Sequence, residues 1–303
     1  MKDIGHKHHN HNSDISKRKK RFIFVIILNL FISVVEIISG VVSGSMALIS
    51  DAFHNFEDTA SLIVSYIAWL FSFRESDYDK TYGYKRFEVI AAFSNSLVLI
   101  ISCLFILFES IKRFLIPEPI NSNIMITVSV IAFIINVISA LSLHTEKEHN
   151  INWRSSYLHL IGDAGFSLAV VAGAFFIKKF HLNFIDPLLS TVMSLFIIYQ
   201  TYNILKKSFN ILMESSPEIN YDDVKKEIEN INGVKNIHHI HSWMVNEDML
   251  YFEAHIEVDD CLVSDTSELQ KKIENILTSR FGISHITLQF EIDKCKNKGI
   301  ISC

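Results

Sequence analysis

His54-Asn55-Phe56-Glu57-Asp58 and His159-Leu160-Ile161-Gly162-Asp163 share one spacing, a histidine followed four residues later by an aspartate, each inside a long apolar run. A four-residue interval puts both side chains on one face of an α-helix, one turn apart. Two such helices laid face to face present two imidazole nitrogens and two carboxylate oxygens to a common point. That donor set suits a tetrahedral divalent ion, Zn2+ above all. Ionisable groups at membrane depth are costly and are kept where an ion or substrate passes. The two stretches therefore predict a helical bundle built around a metal path.

The surrounding sequence supplies the bundle. Six runs of roughly 20 apolar residues, the length that spans a bilayer, fall near 22–42, 47–72, 87–111, 122–143, 157–178 and 184–205. The first two are joined by the tight turn Ser43-Gly44-Ser45. The basic run Lys17-Arg18-Lys19-Lys20-Arg21 anchors the N-terminal side in the cytoplasm. Arg74, Lys80, Lys85 and Arg86 follow the second run, Lys147 and Arg154 the fourth, and Lys206 and Lys207 the sixth. Lys112-Arg113 and Lys178-Lys179 dilute this bias, yet the balance and the even number of runs place both termini inside.

Character changes at the two ends. Residues 1–21 form a polar tail with His6, His8, His9 and His11, read either as a solvated segment or as a low-affinity metal collector. The membrane domain covers 22–207. Residues 211–293 are polar and read as helix, two alternating strands, helix and strand: Tyr221–Ile228, 234–244, 249–258, Ser264–Phe281 and Ile286–Ile292. That order fits a small open-faced α+β domain. Residues 294–303 read as a loose tail. The chain is 49% hydrophobic with a net charge of -5 and no basic stripe, which excludes nucleic acid as a partner. Cys103, Cys261, Cys295 and Cys303 lack C-x-x-C spacing and suggest no disulfide framework. The first apolar run has no cleavage site and reads as an uncleaved span.

Further polar residues fall in the spans. Asp51 shares a helical stripe with His54 and Asp58, and reads either as a partner that orients His54 from behind or as a helix-end residue near the far surface. Glu36, Glu88, Asn95 and Asn136 suit either an inner polar seam or helix packing, and Asp186-Pro187 reads as the cap of the sixth span. His144 to His149 carries the letters of a metalloprotease helix without its H-E-x-x-H spacing, and reads as a solvated linker. In the soluble part, alternation puts His239 and His241 on one strand face and His238 on the other, with His255 on the next strand and His285 and Glu291 at the ends of the last. Cys295 and Cys303 are further candidate ligands. Two other readings of the metal site remain: an intramembrane metallohydrolase with Glu57 as base, and a membrane metal sensor that moves nothing.

Taken together these stretches resemble the cation diffusion facilitator family, in its bacterial cadmium/cobalt/zinc efflux branch. The resemblance is carried by Gly44-Ser45-Met46-Ala47-Leu48-Ile49-Ser50-Asp51-Ala52-Phe53-His54-Asn55 through Asp58, and by Tyr82-Gly83-Tyr84-Lys85-Arg86-Phe87-Glu88. It continues in Tyr157 to Asp163, in Ile237-His238-His239-Ile240-His241-Ser242-Trp243 and in His285 to Glu291. It implies a homodimer in the cell (inner) membrane of a bacterium, with six transmembrane helices per protomer and a ferredoxin-like, metallochaperone-like cytoplasmic domain. It implies no enzyme but a proton-coupled antiporter moving a divalent cation out of the cytoplasm by alternating access. Zn2+ is the expected cargo and a regulatory ligand, with Cd2+, Co2+ and Fe2+ as other candidates. Transport ligands then fall on His54, Asp58, His159 and Asp163. Cytoplasmic zinc positions fall on His238, His255 and Glu291, extending to His241 and His285. His239 stands where the family commonly has Asp, and Glu57 where it has a small or uncharged residue.

Overall fold

The structure, a computed structural model, describes residues 11–295 other than 73, 75 and 144–150, and residues 299–302. The linker histidines at 144 and 149, the tail histidines at 6, 8 and 9, and Cys303 lie outside the described residues. Six long helices come first: α1 His11–Ser43, α2 Met46–Ser72, α3 Phe87–Leu115, α4 Ser122–Leu143, α5 Ile151–Phe180 and α6 Ile185–Leu212. Then follow α7 Tyr221–Glu229, β1 Asn236–Met244, β2 Leu250–Glu257, α8 Val263–Phe281 and β3 His285–Glu291. The chain forms two compact units, residues 1–64 with 94–203, and residues 65–93 with 204–303.

In the first unit α1 starts well before the apolar run, at His11 rather than at residue 22. Residues 12–21 hold no Gly or Pro and five of them are the good helix formers Lys and Arg, so nothing stops the helix from extending through the charged stretch. Gly44 closes it with a left-handed φ of 73°. Among the described residues five helices are long and apolar enough to cross a membrane. The sixth, α2, has 27 residues and the required length, but carries Asp51, Glu57 and Asp58 in its middle. Its shortfall in hydropathy comes from that polar stretch.

Helix α4 packs against both α5 and α1, and Ala47, Leu48, Met125, Val170, Ala174 and Met193 fill one buried cluster. Gly173 lets α5 and α6 approach closely, since a Cβ there would collide with Leu189. Outward, Val98, Phe105 and Phe108 on α3 are each at least 60% exposed. Such a ring of exposed large apolar side chains is what lipid covers.

The Asp186 carboxylate is a cap, but of α2 rather than of its own helix. It accepts hydrogen bonds from Ser45 Oγ at 2.5 Å, Met46 N at 2.7 Å and Ala47 N at 3.2 Å. The two N–H groups are backbone donors that a helix N-terminus leaves unpaired. The expectation of a local cap fails because Asp186 lies inside α6, Pro187 has no N–H, and the neighbouring Ile185 and Leu188 N–H groups donate to the Leu182 and Phe184 carbonyls.

The second unit contains a three-stranded sheet in the order β1-β2-β3, with β1 antiparallel and β3 parallel to β2. A parallel neighbour requires a crossover, supplied by α8. Asn220 caps α7 through Asp222 N, and Gly282 ends α8 in the left-handed region at φ 68°. Val224, Ile228, Ile237, Phe252, Ile273 and Leu277 form the core between sheet and helices.

Strand β1 is bulged. His238 pairs with His255 and His241 with Glu253, so His239 and Ile240 together face the single residue Ala254. His239 takes the strain, with φ 52°. Simple alternation is broken there, and the expected opposition of His238 to His239 does not hold. Both rings reach His255, His238 edge-on at 5.6 Å between centroids and His239 stacked at 4.6 Å.

Candidate metal sites

The four-residue spacing in α2 and α5 brings four side chains together. His159 Nε2 lies 2.7 Å from Asp58 Oδ2 and 3.8 Å from Asp163 Oδ2. His54 Nε2 lies 3.4 Å from Asp163 Oδ1 and 3.7 Å from Asp58 Oδ2. The two imidazoles stand edge to face, 5.5 Å apart. His54, His159 and Asp163 each offer a donor atom within 4.8 Å of the others, and Asp58 adds an oxygen to both imidazoles. Donors around a tetrahedral zinc sit about 3.3 Å apart, given bond lengths near 2.0 Å, so these separations suit one ion with small adjustments.

His54 and Asp163 are buried, whereas the His159 side chain keeps 42% of its surface and Asp58 28%. One side of the site is thus reachable and the other closed. His54 Nδ1 has no hydrogen-bond partner among the described residues. Asp51 does not orient it. Its carboxylate accepts instead from Ser167 Oγ at 3.2 Å. The helix stripe placed Asp51 on the right side, but its hydrogen-bond partner comes from α5.

A polar seam therefore runs beside the ligands. Asn55 Nδ2 donates to Glu36 Oε2 at 3.2 Å, and Asn136 Nδ2 to Ser167 Oγ at 3.0 Å. Glu36, Asp51, Asn55 and Asn136 are all fully buried. Two residues expected there pair elsewhere: Asn95 donates to Ser61, and Glu88 accepts from Ser72.

A second cluster lies on the sheet. His238 Nε2 is 3.0 Å from Glu291 Oε1, and His255 Nδ1 is 3.1 Å from Glu291 Oε2. Register explains the meeting: His238 faces His255 across β1–β2, and Glu291 lies at the end of the neighbouring β3. Asn236 Nδ2 donates to Glu229 at 2.8 Å, which leaves its Oδ1 as the acceptor 3.0 Å from His238 Nδ1. That network assigns the His238 proton to Nδ1 and turns the Nε2 lone pair toward Glu291. A lone pair and a carboxylate at 3.0 Å need a cation between them, a second proton or a metal. Burial holds the His255 imidazole below its ordinary pKa, against the opposing pull of Glu291, which favours the neutral, ligating form. The residues fit zinc.

Gln289 Nε2 donates to Glu291 Oε2 at 3.2 Å. Asn236 and Gln289 both stand two residues before a ligand on the same strand, a signal that alternation carries in the sequence. Cys295, four residues past Glu291, joins the donor group as well. His241 and His285 do not. Past the bulge His241 lies against His239 at 4.7 Å, and His285 pairs with Tyr251 at the far end of β3 from Glu291.

Comparison with known proteins agrees with both halves of the chain. Residues 22–213 match the family model described as the cation efflux transmembrane domain, and residues 216–293 that of the cation efflux protein, cytoplasmic domain. The chain is 35% identical over 299 residues to a cadmium, cobalt and zinc/H(+)-K(+) antiporter of Bacillus subtilis, covering 97% of this chain and 95% of the relative. It is 32% identical to the metal cation efflux system protein CzcD of Cupriavidus metallidurans, covering 95% and 91%. To the zinc transporter ZitB of Escherichia coli it is 31% identical, covering 96% and 94%.

Proposed function

We propose that this chain, which belongs to the cation efflux family, exports Zn2+ from the cytoplasm in exchange for protons. The family is one of transporters, so the chain is not an enzyme and the metallohydrolase reading falls away. The observation that carries the proposal is the convergence of His54, Asp58, His159 and Asp163 across α2 and α5, with each imidazole 2.7 to 3.8 Å from both carboxylates.

Zn2+ enters as cargo and binds neutral imidazoles and ionised carboxylates. The 2.7 Å contact of His159 Nε2 with Asp58 Oδ2 is a hydrogen bond that needs a proton on that nitrogen. A proton there and a metal ion at the same nitrogen exclude each other. External protons that reach these four groups therefore release the metal outward, and cytoplasmic metal displaces the protons inward. Rocking of the bundle between two openings turns that competition into exchange. Cd2+ and Co2+ accept the same donors, and the names of the relatives include both; Fe2+ is a weaker match to the set.

The basic run at Lys17 to Arg21 and the basic residues after α2, α4 and α6 support cytoplasmic termini. The match to the family's cytoplasmic domain supports a homodimer joined through the soluble domain, in the inner membrane of a bacterium. Zinc held by His238, His255 and Glu291 acts as a regulatory ligand that biases the dimer.

Proton-driven uptake into inside-out vesicles tests the proposal. The wild type accumulates Zn2+ when the vesicle interior is acid, and Asp163→Ala reduces uptake by more than about 100-fold, since it removes a buried ligand rather than a supporting contact. Zinc binding by the wild type without any flux would leave a sensor instead.

A further inference from the structure

We propose that Cys295 makes the soluble-domain zinc site redox-sensitive: as a thiolate it completes a His238–His255–Glu291–Cys295 set around one Zn2+, and as a disulfide it leaves that set. This rests on reading the soluble cluster as a zinc site.

After β3, Asp293 takes a left-handed φ of 42° and the chain turns back over the sheet. Cys295 is thereby buried, at 4% exposure, and its Sγ lies 4.0 Å from His255 Nδ1. One donor atom from each of His238, His255, Glu291 and Cys295 lies within 4.8 Å of all the others. Sulfur and nitrogen on a tetrahedral zinc stand about 3.5 Å apart, given bonds near 2.3 and 2.0 Å, so the Cys295–His255 pair needs to close by only about half an ångström. In this structure the same sulfur is disulfide-bonded, where a loose tail without a disulfide is the sequence expectation. One atom thus stands at the meeting point of two mutually exclusive bonds.

The chemistry balances with a dithiol as reductant. Its two electrons open the S–S bond, the two protein sulfurs take up two protons, and the dithiol becomes a disulfide. Zn2+ then displaces the proton of Cys295, because a coordinating thiol is deprotonated. Two imidazoles and one carboxylate leave zinc a fourth position, and a soft thiolate is the stronger occupant of it. Under reducing conditions, which prevail in cytoplasm, the site is complete. Oxidation withdraws one ligand and weakens it.

Cobalt(II) in the purified full-length protein reads this directly. Reduced wild type shows a sulfur-to-cobalt charge-transfer band in the near ultraviolet, which the all-nitrogen-and-oxygen membrane site cannot give. The band is absent from Cys295→Ser and from oxidised wild type, and persists in Cys103→Ser and Cys261→Ser. Zinc affinity at the soluble site falls about tenfold in Cys295→Ser. If His238→Ala loses one bound cobalt but reduced wild type has no band, the cysteine proposal is overturned while the soluble zinc site stands. If His238→Ala loses no cobalt, the soluble site fails and this proposal with it.

Discussion

The two candidate metal sites use the same chemistry on different supports. In the membrane unit, two imidazoles and two carboxylates come from helix faces, and among the described residues their outer shell is thin: His54 Nδ1 has no partner there and Asp51 is engaged elsewhere. On the sheet, Asn236 fixes His238 and Gln289 steadies Glu291. Partners behind a ligand set its tautomer and raise its affinity. A site that must load and unload in each cycle gains from leaving its ligands free to turn, whereas one that holds a regulatory ion gains from bracing them. On the proposed reading, that is the difference between a cargo site and a resident site.

Altering the donors of the loose site gives the largest expected effect. His54→Asp replaces a nitrogen with an oxygen, and transport of Mn2+ relative to Zn2+ rises by more than tenfold, since harder ions prefer oxygen. Competition uptake in vesicles measures it; unchanged selectivity would remove His54 from the ligand set. Stripping a brace comes next. Asn236→Ala lowers zinc affinity at the soluble site about tenfold and leaves vesicle uptake at saturating zinc near wild type. Equal losses at both sites would collapse the distinction between them.

Asp186→Ala tests the scaffold instead of the donors. Losing the cap on α2 costs about 1–2 kcal/mol, seen as a lower melting temperature of the detergent-solubilised protein. The smallest effect is a pH slope in metal-free protein. His255 titrates below its ordinary value of about 6.5 when folded, so as pH falls through that value the unfolded chain binds more protons than the folded one. Stability contributed by the neutral ring is present above that pH and lost below it. The soluble domain's melting temperature falls by less than about 4 °C on acidification, and His255→Phe flattens the slope.

Helical spacing made the membrane site legible, because 3.6 residues per turn fixes which side chains share a face before any packing is known. Helix ends within the apolar runs were legible for the same reason, from Met46 at the start of α2 to Ser122 at the start of α4. Relations that depend on neighbours were not. Asp186 reads locally as the cap of its own helix, yet it serves α2, 140 positions earlier in the chain. The bulge at His239 cannot be counted from alternation, because it appears only when two strands are paired. Cys295 reaches the sheet through one backbone angle at Asp293, and no spacing rule reports that.

The Asp186 carboxylate also constrains how the bundle can move. Ser110 on α3 meets Ser190 on α6 at 2.9 Å, and Arg113 on α3 donates to the Gly44 carbonyl beside the same cap. The starts of α2 and α6 and the end of α3 are thus pinned into one knot. A helix fastened at one tip swings like a door on its jamb, so His54 and Asp58 travel farther than Met46 whenever α2 tilts.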